Sequence, residues 1–296
     1  MKFENTWIGN FEGALRGMRN PKNSWNKSDS YFGTYGYGEE NINDVIDNWM
    51  KEKYPQLWED YHYMIKFNPK VNDDYSEKLD ELDNKMFENC LLGSQYEFEL
   101  EDSTPVACIG PKDMELAQRL IKAGPEHRKF LRQIFVSVDI TAPLYFWKEL
   151  DTYKVATVAN STSTMHKLSE TPITLDCFEI DDFNKDLCYY AINTTDMLSE
   201  IMVEQLEYLR LKYLETKDKR YWKELIRWLP ESWLQKRTWT ANYETIRSIC
   251  SPGQRRNHKL NEWSGIDNPN VPNFISWARK LPYAQYFIFD DEGIEF

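Results

Sequence analysis

The stretch "IFVSVDITAPLYFWKEL", residues 134–150, has the clearest secondary-structure pattern in the chain. Apolar residues alternate with others, as in a strand that buries one face, at Ile134, Val136, Val138 and Ile140. Thr141 is then predicted to cap a helix that Pro143 opens and that runs through residues 144–154. A strand followed at once by a helix brings backbone amides and side chains to one point, so this junction is a candidate ligand site.

Helical patterns flank this junction on both sides. Residues 111–124, "PKDMELAQRLIKAG", have a proline at a helix start and a glycine where a C-terminal cap belongs. Residues 196–215 predict a long amphipathic helix with a core stripe at Leu198, Ile201, Met202, Gln205, Leu206 and Leu209. Residues 220–250 predict two helices separated near Pro230, and residues 251–273 predict a long polar loop or a loosely helical insert.

The first part of the chain has a different composition, rich in Asn, Asp, Tyr and Trp. Short helical patterns occur within residues 41–65, and "YFGTYGYGEEN", residues 31–41, predicts an aromatic turn rather than a phosphate loop. We therefore divide the chain into a partly helical N-terminal extension, residues 1–110, integrated with the body, and a main domain, residues 111–296.

Composition excludes several classes of protein. The chain has 296 residues, 41% of them hydrophobic, without an apolar run of membrane-spanning length or a signal-peptide pattern, so we expect a cytoplasmic globular protein. A net charge of -12 argues against nucleic acid as a partner. The five cysteines are scattered and predict reduced, mostly buried thiols, and the four histidines form no ligand pair, so no metal is expected.

Two clusters of cations remain as candidates for binding a small anion. They are Arg128, Lys129 and Arg132 in the first, and Arg255, Arg256 and Lys259 in the second. Solvated surface charge is the alternative interpretation of both clusters.

The polar stretch "DTYKVATVANSTSTMHK", residues 151–167, follows the predicted helix. One interpretation is a turn that offers neutral hydrogen-bond donors to a phosphate or pyrimidine, from Thr157, Asn160, Ser161, Thr162 and Ser163. The other is a helix cap and loop whose hydroxyl groups bind their own backbone.

Three blocks of the sequence resemble the flavin-dependent thymidylate synthases, the thymidylate synthase complementing family. Residues 124–154 are similar to its histidine element, strand and Ala-Pro helix start, and "TVANSTSTMH", residues 157–166, is similar to the second half of its signature. Residues 225–246, with "LPESW" and "TWTAN", and the following "RRNHKLNEW", residues 255–263, resemble its Leu-Pro and arginine-rich elements. The blocks span about half of the chain.

The resemblance implies a fold, a reaction and a set of site residues. The implied fold is α/β, with a small mixed or antiparallel sheet against long helices and an extra helical N-terminal region, assembled as a homotetramer with flavin between subunits. The implied reaction converts dUMP to dTMP with methylenetetrahydrofolate, reduced FAD and NADPH. The implied FAD-binding residues are His127, Tyr153, Lys154, Asn242 and His258. The implied substrate-binding residues are Asn160, Ser161, Arg255, Arg256 and Ser163, the last also being catalytic.

The chain also departs from the family pattern. Thr152, Tyr153 and Lys154 stand where the family has Arg-His-Arg, Thr164 or Met165 stands where an arginine grips the substrate phosphate, and His166 stands near the family's tyrosine. A guanidinium that binds phosphate with two hydrogen bonds is not replaced by these side chains. Two alternatives therefore stay open, a scaffold that binds a nucleotide or a partner without synthase activity, and an enzyme for another pyrimidine nucleotide. The aromatic rings of Tyr145, Trp147 and Trp239 are expected either to stack on flavin or to lie in the core.

Overall fold

The larger of the two sheets in the described residues has four strands. In the computed structural model, which describes residues 1–34, 51–52, 55, 58–59, 105–163, 167–180 and 198–289, the strands are β1 (Lys2–Gly9), β4 (Phe135–Pro143), β5 (Val158–Ser161) and β6 (Leu234–Asn242), in the order β1-β4-β6-β5. The central pair is antiparallel, with Phe135 opposite Asn242 and Pro143 opposite Leu234. The edge strand is also antiparallel, with Val158 opposite Thr240 and Ser161 opposite Arg237. The predicted α/β class with a small antiparallel sheet is therefore confirmed.

The described chain divides into two compact units. One contains Met1–Ile8 and Phe135–Trp277, and the other contains Gly9–Ile134 and Ala278–Phe296. The predicted division at residue 110 stays a prediction, since most of residues 35–104 lie outside the described residues. Among the helices that the structure describes, none is both long and apolar enough to cross a membrane.

Strand β4 confirms the alternating pattern, and four of its side chains are buried on one face, at Val136, Val138, Ile140 and Ala142. The predicted cap at Thr141 is wrong, because the strand continues to Pro143 and pairs there with the start of β6. Helix α3 (Leu144–Leu150) begins one residue after that proline, and it ends at Leu150 rather than at Lys154.

The second helix predicted within residues 220–250 is also wrong over its first part. Helix α5 (Lys219–Arg227) ends before Pro230, as expected, but Leu234–Asn242 form strand β6, and helix α6 (Tyr243–Ile249) follows. The alternation of buried Trp239 and Ala241 with less buried Thr238 and Thr240 has a strand period of two. Residues 158–161, interpreted from sequence as a turn, form the edge strand β5.

Helix α4 (Leu198–Thr216) confirms the long helix, although its predicted apolar stripe is only partly core. Leu206 is buried in a cluster with Leu168, Ile173, Phe178 and Leu225. Leu198 is 56% exposed and Gln205 is exposed, so neither belongs to that core. Residues 251–273 are mostly irregular, as predicted, with the short helix α7 (Asn261–Ser264), and helix α8 (Phe274–Arg279) follows.

The second unit contains α1 (Phe11–Arg19), the antiparallel strands β2 (Tyr31–Thr34) and β3 (Pro105–Cys108), α2 (Pro111–Lys122) and α9 (Ala284–Phe287). Helix α2 matches its prediction, with Pro111 as its first residue and Gly124 at φ 106° just beyond its end. Tyr31–Thr34 are a strand rather than the predicted turn. The rest of that turn, and nearly all of the helical patterns in residues 41–65, lie outside the described residues.

A buried ionic network joins α1 and α2 within the second unit. The Arg19 guanidinium pairs with Asp113, whose side chain is fully buried. The hydroxyl groups of Ser28 and Ser30 donate to the other Asp113 oxygen at 2.5 and 2.6 Å. Asp29 accepts from the backbone N–H groups of Lys112 and Asp113, at 2.9 and 3.1 Å. Asp29 thereby satisfies two backbone N–H groups at the start of α2, so the network is explained by its contribution to the stability of the fold.

Candidate functional site

Two loops separated by about a hundred positions in the sequence meet in the first unit. The loop after α3 contains Tyr153, whose hydroxyl donates to Gln254 of the loop after α6 at 3.2 Å. The Thr245 hydroxyl donates to the Val155 carbonyl at 3.0 Å, and Ala156 has a left-handed backbone at φ 56°. The polar stretch after α3 and the second cation cluster are thus adjacent.

Arg255 lies between two aromatic rings at this meeting point. Its guanidinium carbon is 5.8 Å from the centroid of the Tyr153 ring and 5.1 Å from that of Trp263. Both distances are within the range of cation–π attraction. Among the buried side-chain nitrogen and oxygen atoms that the structure describes, Arg255 Nε is the one that has no hydrogen-bond partner. A buried, unpartnered guanidinium N–H is costly and indicates a missing acceptor.

Glu149, near the end of α3, is the carboxylate of this site. Its Oε2 atom accepts from Trp263 Nε1 at 2.8 Å and pairs with Arg255 Nη1 at 3.0 Å. His258 Nε2 lies 3.8 Å from the same oxygen. We refer to Glu149, Tyr153, Arg255, His258 and Trp263 as the arginine cluster.

His258 is held as a neutral imidazole in the arginine cluster. The Leu260 backbone N–H donates to its Nδ1 at 3.2 Å, which leaves the ring proton on Nε2, toward Glu149. Burial lowers the pKa of His258 below its ordinary value, and the nearby Glu149 carboxylate opposes that shift only in part. His258 therefore offers an N–H at neutral pH without adding a positive charge.

Asn242, predicted to contact flavin, has a structural role in the free protein. It is the last residue of β6 and is only 3% exposed. Its side-chain oxygen accepts from the Thr245 backbone N–H at 2.9 Å and so caps α6. The two tryptophans considered for flavin stacking, Trp147 and Trp239, are both buried in the core, at 0% and 3% exposure.

Ser163, two residues after β5, lines a cavity of about 540 Å³. The cavity combines hydroxyl, cationic and aromatic groups, including Ser163, Thr162, Lys167, Phe178, Trp233 and Lys236. A volume of this size accommodates a nucleotide-sized ligand. None of the five residues of the arginine cluster is among the residues that line this cavity.

The remaining predicted site residues lie in various positions. Lys154, Asn160 and Ser161 are exposed, and Arg256 is half-buried beside Arg255 in the sequence. His127 is exposed in a turn of the second unit, where its backbone N–H donates to Gly124 at 3.0 Å. Thr164, Met165 and His166 lie outside the described residues, as do Cys90 and Cys188.

Part of the polar stretch follows the structural interpretation. The hydroxyl of Thr157 donates to the Tyr153 carbonyl at 2.6 Å, and that of Thr152 donates to the Glu149 carbonyl at 2.7 Å. Both hydroxyl groups bind local backbone, as Ser and Thr often do at helix ends and turns. Thr157 is thus a turn-forming residue, and the predicted ligand donors are reduced to the residues from Asn160 onward.

Sequence reasoning missed three contributors, namely Glu149, Gln254 and Trp263. Glu149 carried a signal, because it is an acidic residue one position from the end of a mostly apolar helix that leads directly into the polar stretch. Trp263 ended a block of the resemblance without receiving a role. Gln254 had no signal beyond its place before two arginines.

Comparison with known proteins gives structural similarities at low identity. The flavin-dependent thymidylate synthase ThyX from Helicobacter pylori, complexed with FAD and dUMP, is 17% identical with a TM-score of 0.43, covering 70% of this chain and 91% of that chain. A second structure of that enzyme with FAD and dUMP is 16% identical with a TM-score of 0.42, covering 70% of this chain and 90% of that chain. The UMP/dUMP methylase PolB from Streptomyces cacaoi, bound with 5-Br UMP, is 12% identical with a TM-score of 0.37, covering 60% of this chain and 84% of that chain.

No protein-family model matches the chain, and no curated protein matches it in sequence.

Proposed function

We propose that the arginine cluster binds the phosphate-bearing part of a planar cofactor, and that the chain is a divergent flavin-dependent thymidylate synthase-like enzyme. The observation that carries this proposal is the buried Arg255 Nε–H without a partner, held between the rings of Tyr153 and Trp263. An anionic oxygen is the acceptor that such a donor favours. The sequence resemblance supplies the identity of the cofactor, FAD, and of the nucleotide, dUMP.

The residues of the arginine cluster fit FAD by their donor set. Arg255 offers its unpartnered N–H to a phosphate oxygen, His258 offers a neutral N–H, and the exposed Lys154 adds a cation. Tyr153 is half-buried and offers a ring edge or face to a planar group. In the proposed reaction, reduced flavin, when bound, supplies the reducing equivalents, with NADPH as its electron source and methylenetetrahydrofolate as the one-carbon donor.

The cavity beside Ser163 is the proposed seat of the nucleotide. Ser163 would donate to the pyrimidine or its phosphate, and Thr162, Lys167 and Lys236 line the same cavity with further polar groups. Asn160, Ser161 and Arg256 do not line this cavity, and their contacts with the nucleotide stay a prediction from the resemblance. Trp233 and Phe178 line the cavity with aromatic surface that excludes water from the base. Because no residue of the arginine cluster lines this cavity, we propose that the cavity of one protomer faces the arginine cluster of another, in the homotetramer that the resemblance implies.

A second candidate is a nucleotide-binding protein on the same scaffold without synthase activity. The observation in its favour is that Glu149 already neutralises Arg255, while Thr152, at the position of a family arginine, donates to backbone. The chain then has fewer cations available to bind the cofactor than the family pattern has. This candidate predicts nucleotide binding without turnover, and the same scaffold could select another pyrimidine nucleotide.

Activity distinguishes the two candidates. Purified protein is incubated with dUMP, labelled methylenetetrahydrofolate, FAD and NADPH, and labelled thymidylate is measured. The proposed enzyme forms thymidylate, and Ser163→Ala lowers the rate by about 10²-fold, the usual cost of one catalytic hydrogen-bond donor. Ser248→Ala, at an exposed helix position, is the matched control. Nucleotide binding with no thymidylate above the protein-free reaction would reject the enzyme and favour the scaffold.

A further inference from the structure

Glu149 makes more contacts than a surface carboxylate of an ordinary ion pair. One oxygen, Oε2, faces Trp263 Nε1 at 2.8 Å, Arg255 Nη1 at 3.0 Å and His258 Nε2 at 3.8 Å. The Trp263 ring is fully buried, so its N–H fixes the carboxylate from the core side. The Glu149 side chain keeps only 32% of its exposure, and that of Arg255 only 20%. The pair is thus partly withdrawn from solvent, where its charges are weakly screened.

The charges of the groups that act on His258 cancel. Two negatively charged groups, Glu149 and Glu262, face His258. Two positively charged groups, Arg255 and Lys259, also face it. Two other charged residues lie within two positions of Glu149 in the sequence, and both are paired. Lys148 pairs with Glu231, and Asp151 pairs with Arg237. Within the arginine cluster itself, the charge of Glu149 balances that of Arg255, so an approaching anion meets strong donors whose positive charge is already neutralised.

We propose that Glu149 is the resident counter-ion of Arg255, and that it holds the guanidinium in place while lowering the affinity of the arginine cluster for anions. The inference rests on the proposed function only in assuming that this cluster takes an anionic ligand. In the free protein the carboxylate gives Arg255 an acceptor, so the guanidinium stays between its two rings. An incoming phosphate must share Arg255 with Glu149, so the carboxylate competes with the phosphate for the guanidinium.

The direct test is Glu149→Gln with inorganic pyrophosphate as the probe, measured by titration calorimetry. The glutamine keeps an oxygen that accepts from Trp263 and Arg255 but removes the negative charge. The expected result is pyrophosphate affinity at least about tenfold higher than in the unmodified protein, which corresponds to about 1.4 kcal/mol. Glu231→Gln, which removes an exposed carboxylate paired with Lys148, should change the affinity less than about twofold. Unchanged or weaker pyrophosphate binding in Glu149→Gln overturns the counter-ion role.

A second readout requires no ligand. The imidazole of His258 is followed by NMR as a function of pH, in the unmodified protein and in both variants. Removing the Glu149 charge takes away a group that raises the pKa of His258, so that pKa should fall in Glu149→Gln and stay unchanged in Glu231→Gln. Glu149→Asp keeps the charge on a side chain shorter by one methylene, so it should keep the His258 pKa close to that of the unmodified protein. A His258 pKa that does not move in Glu149→Gln contradicts the inference.

The two failures are distinguishable. If pyrophosphate and FAD bind to the unmodified protein but Glu149→Gln changes neither their affinity nor the His258 titration, the counter-ion role alone is rejected. If neither probe binds to the unmodified protein or to Glu149→Gln, the proposed function is rejected, and the effect of Glu149 on anion affinity is rejected with it.

Discussion

Two arginine–carboxylate pairs in this protein have the same chemistry and different surroundings. Arg19 and Asp113 form a buried pair in which two serine hydroxyls complete the bonding of the carboxylate. Arg255 and Glu149 form a partly buried pair in which one guanidinium N–H has no acceptor. The hydrogen-bonding groups of the first pair find partners within the chain, so a contribution to fold stability is enough to explain that pair. The second pair is incomplete, and an incomplete buried polar group indicates a ligand.

The largest expected effect breaks the first pair. Asp113→Ala leaves the Arg19 guanidinium buried without its carboxylate, and we expect a loss of about 3–5 kcal/mol in the free energy of unfolding. Urea unfolding followed by tryptophan fluorescence measures it. Glu224→Ala, which removes a helical surface pair with Arg227, should cost less than about 1 kcal/mol. A loss at Asp113 no larger than this control would show that the network contributes no more than a surface pair.

The next effect separates structure from binding at Asn242. Asn242→Ala removes the side-chain cap of α6 and should lower the free energy of unfolding by about 1 kcal/mol. Asn242→Ser keeps a capping oxygen and should retain most of that stability. FAD affinity is then measured in the serine variant. A stable serine variant with unchanged FAD affinity would assign Asn242 to capping alone, whereas a clear loss of affinity would support the flavin contact predicted from sequence.

A smaller effect concerns the pH dependence of the arginine cluster. The pKa of His258 is lowered in the folded chain, so the unfolded chain binds the proton more readily. Stability from this group is present above its ordinary pKa, near 6.5, and is lost as the pH falls through the lowered, folded value. Urea midpoints measured from pH 7.5 to pH 5 should therefore decrease more in the unmodified protein than in His258→Gln. Equal pH dependence in the two proteins would contradict the neutral imidazole.

The smallest effect concerns a carboxylate with many partners at the sheet surface. Thr238 and Asn5 donate to Asp139 at 2.5 and 2.9 Å, and Lys236 lies 3.4 Å away. These hydrogen bonds, with that of Thr238 the largest, hold the pKa of Asp139 below its ordinary value. A lowered acid pKa gives stability above the ordinary value, near 3.9, which is lost as the pH falls further. Asp139→Asn should slightly reduce the slope of the free energy of unfolding against pH between pH 5 and pH 3. An unchanged slope would show that Asp139 does not contribute to this pH dependence.

The sequence predicted the elements whose pattern is local. The alternation in β4 and the Pro and Gly signals of α2 are each contained within one element, and both predictions are confirmed. The prediction of a helix over Leu234–Asn242 is wrong because Trp, Leu and Lys also suit a helix, and pairing with β4 and β5 decides the outcome. The same pairing turns residues 158–161 from a turn into an edge strand.

The candidate site was predictable only where the resemblance supplied a position. Tyr153, Arg255 and His258 were candidates from their blocks, and the structure brings them together. Glu149 was not, because its role depends on three partners that are more than a hundred residues away in the sequence. Ser163 was predicted to share a site with Arg255, but it lines a cavity to which no residue of the arginine cluster contributes. Their common role stays a proposal.

The binding of FAD to the arginine cluster is the central claim, and a flavin titration tests it most directly. FAD is added to the unmodified protein, to Arg255→Lys and to Arg220→Lys, a control at an exposed helix position. Binding is followed by flavin fluorescence and by absorbance of the separated protein. We predict one FAD per chain in the unmodified protein and the control, and affinity lower by about tenfold or more in Arg255→Lys, because lysine has no Nε–H and no planar group to lie between the rings. Equal affinity in all three proteins, or an unmodified protein that binds no FAD, would contradict the account.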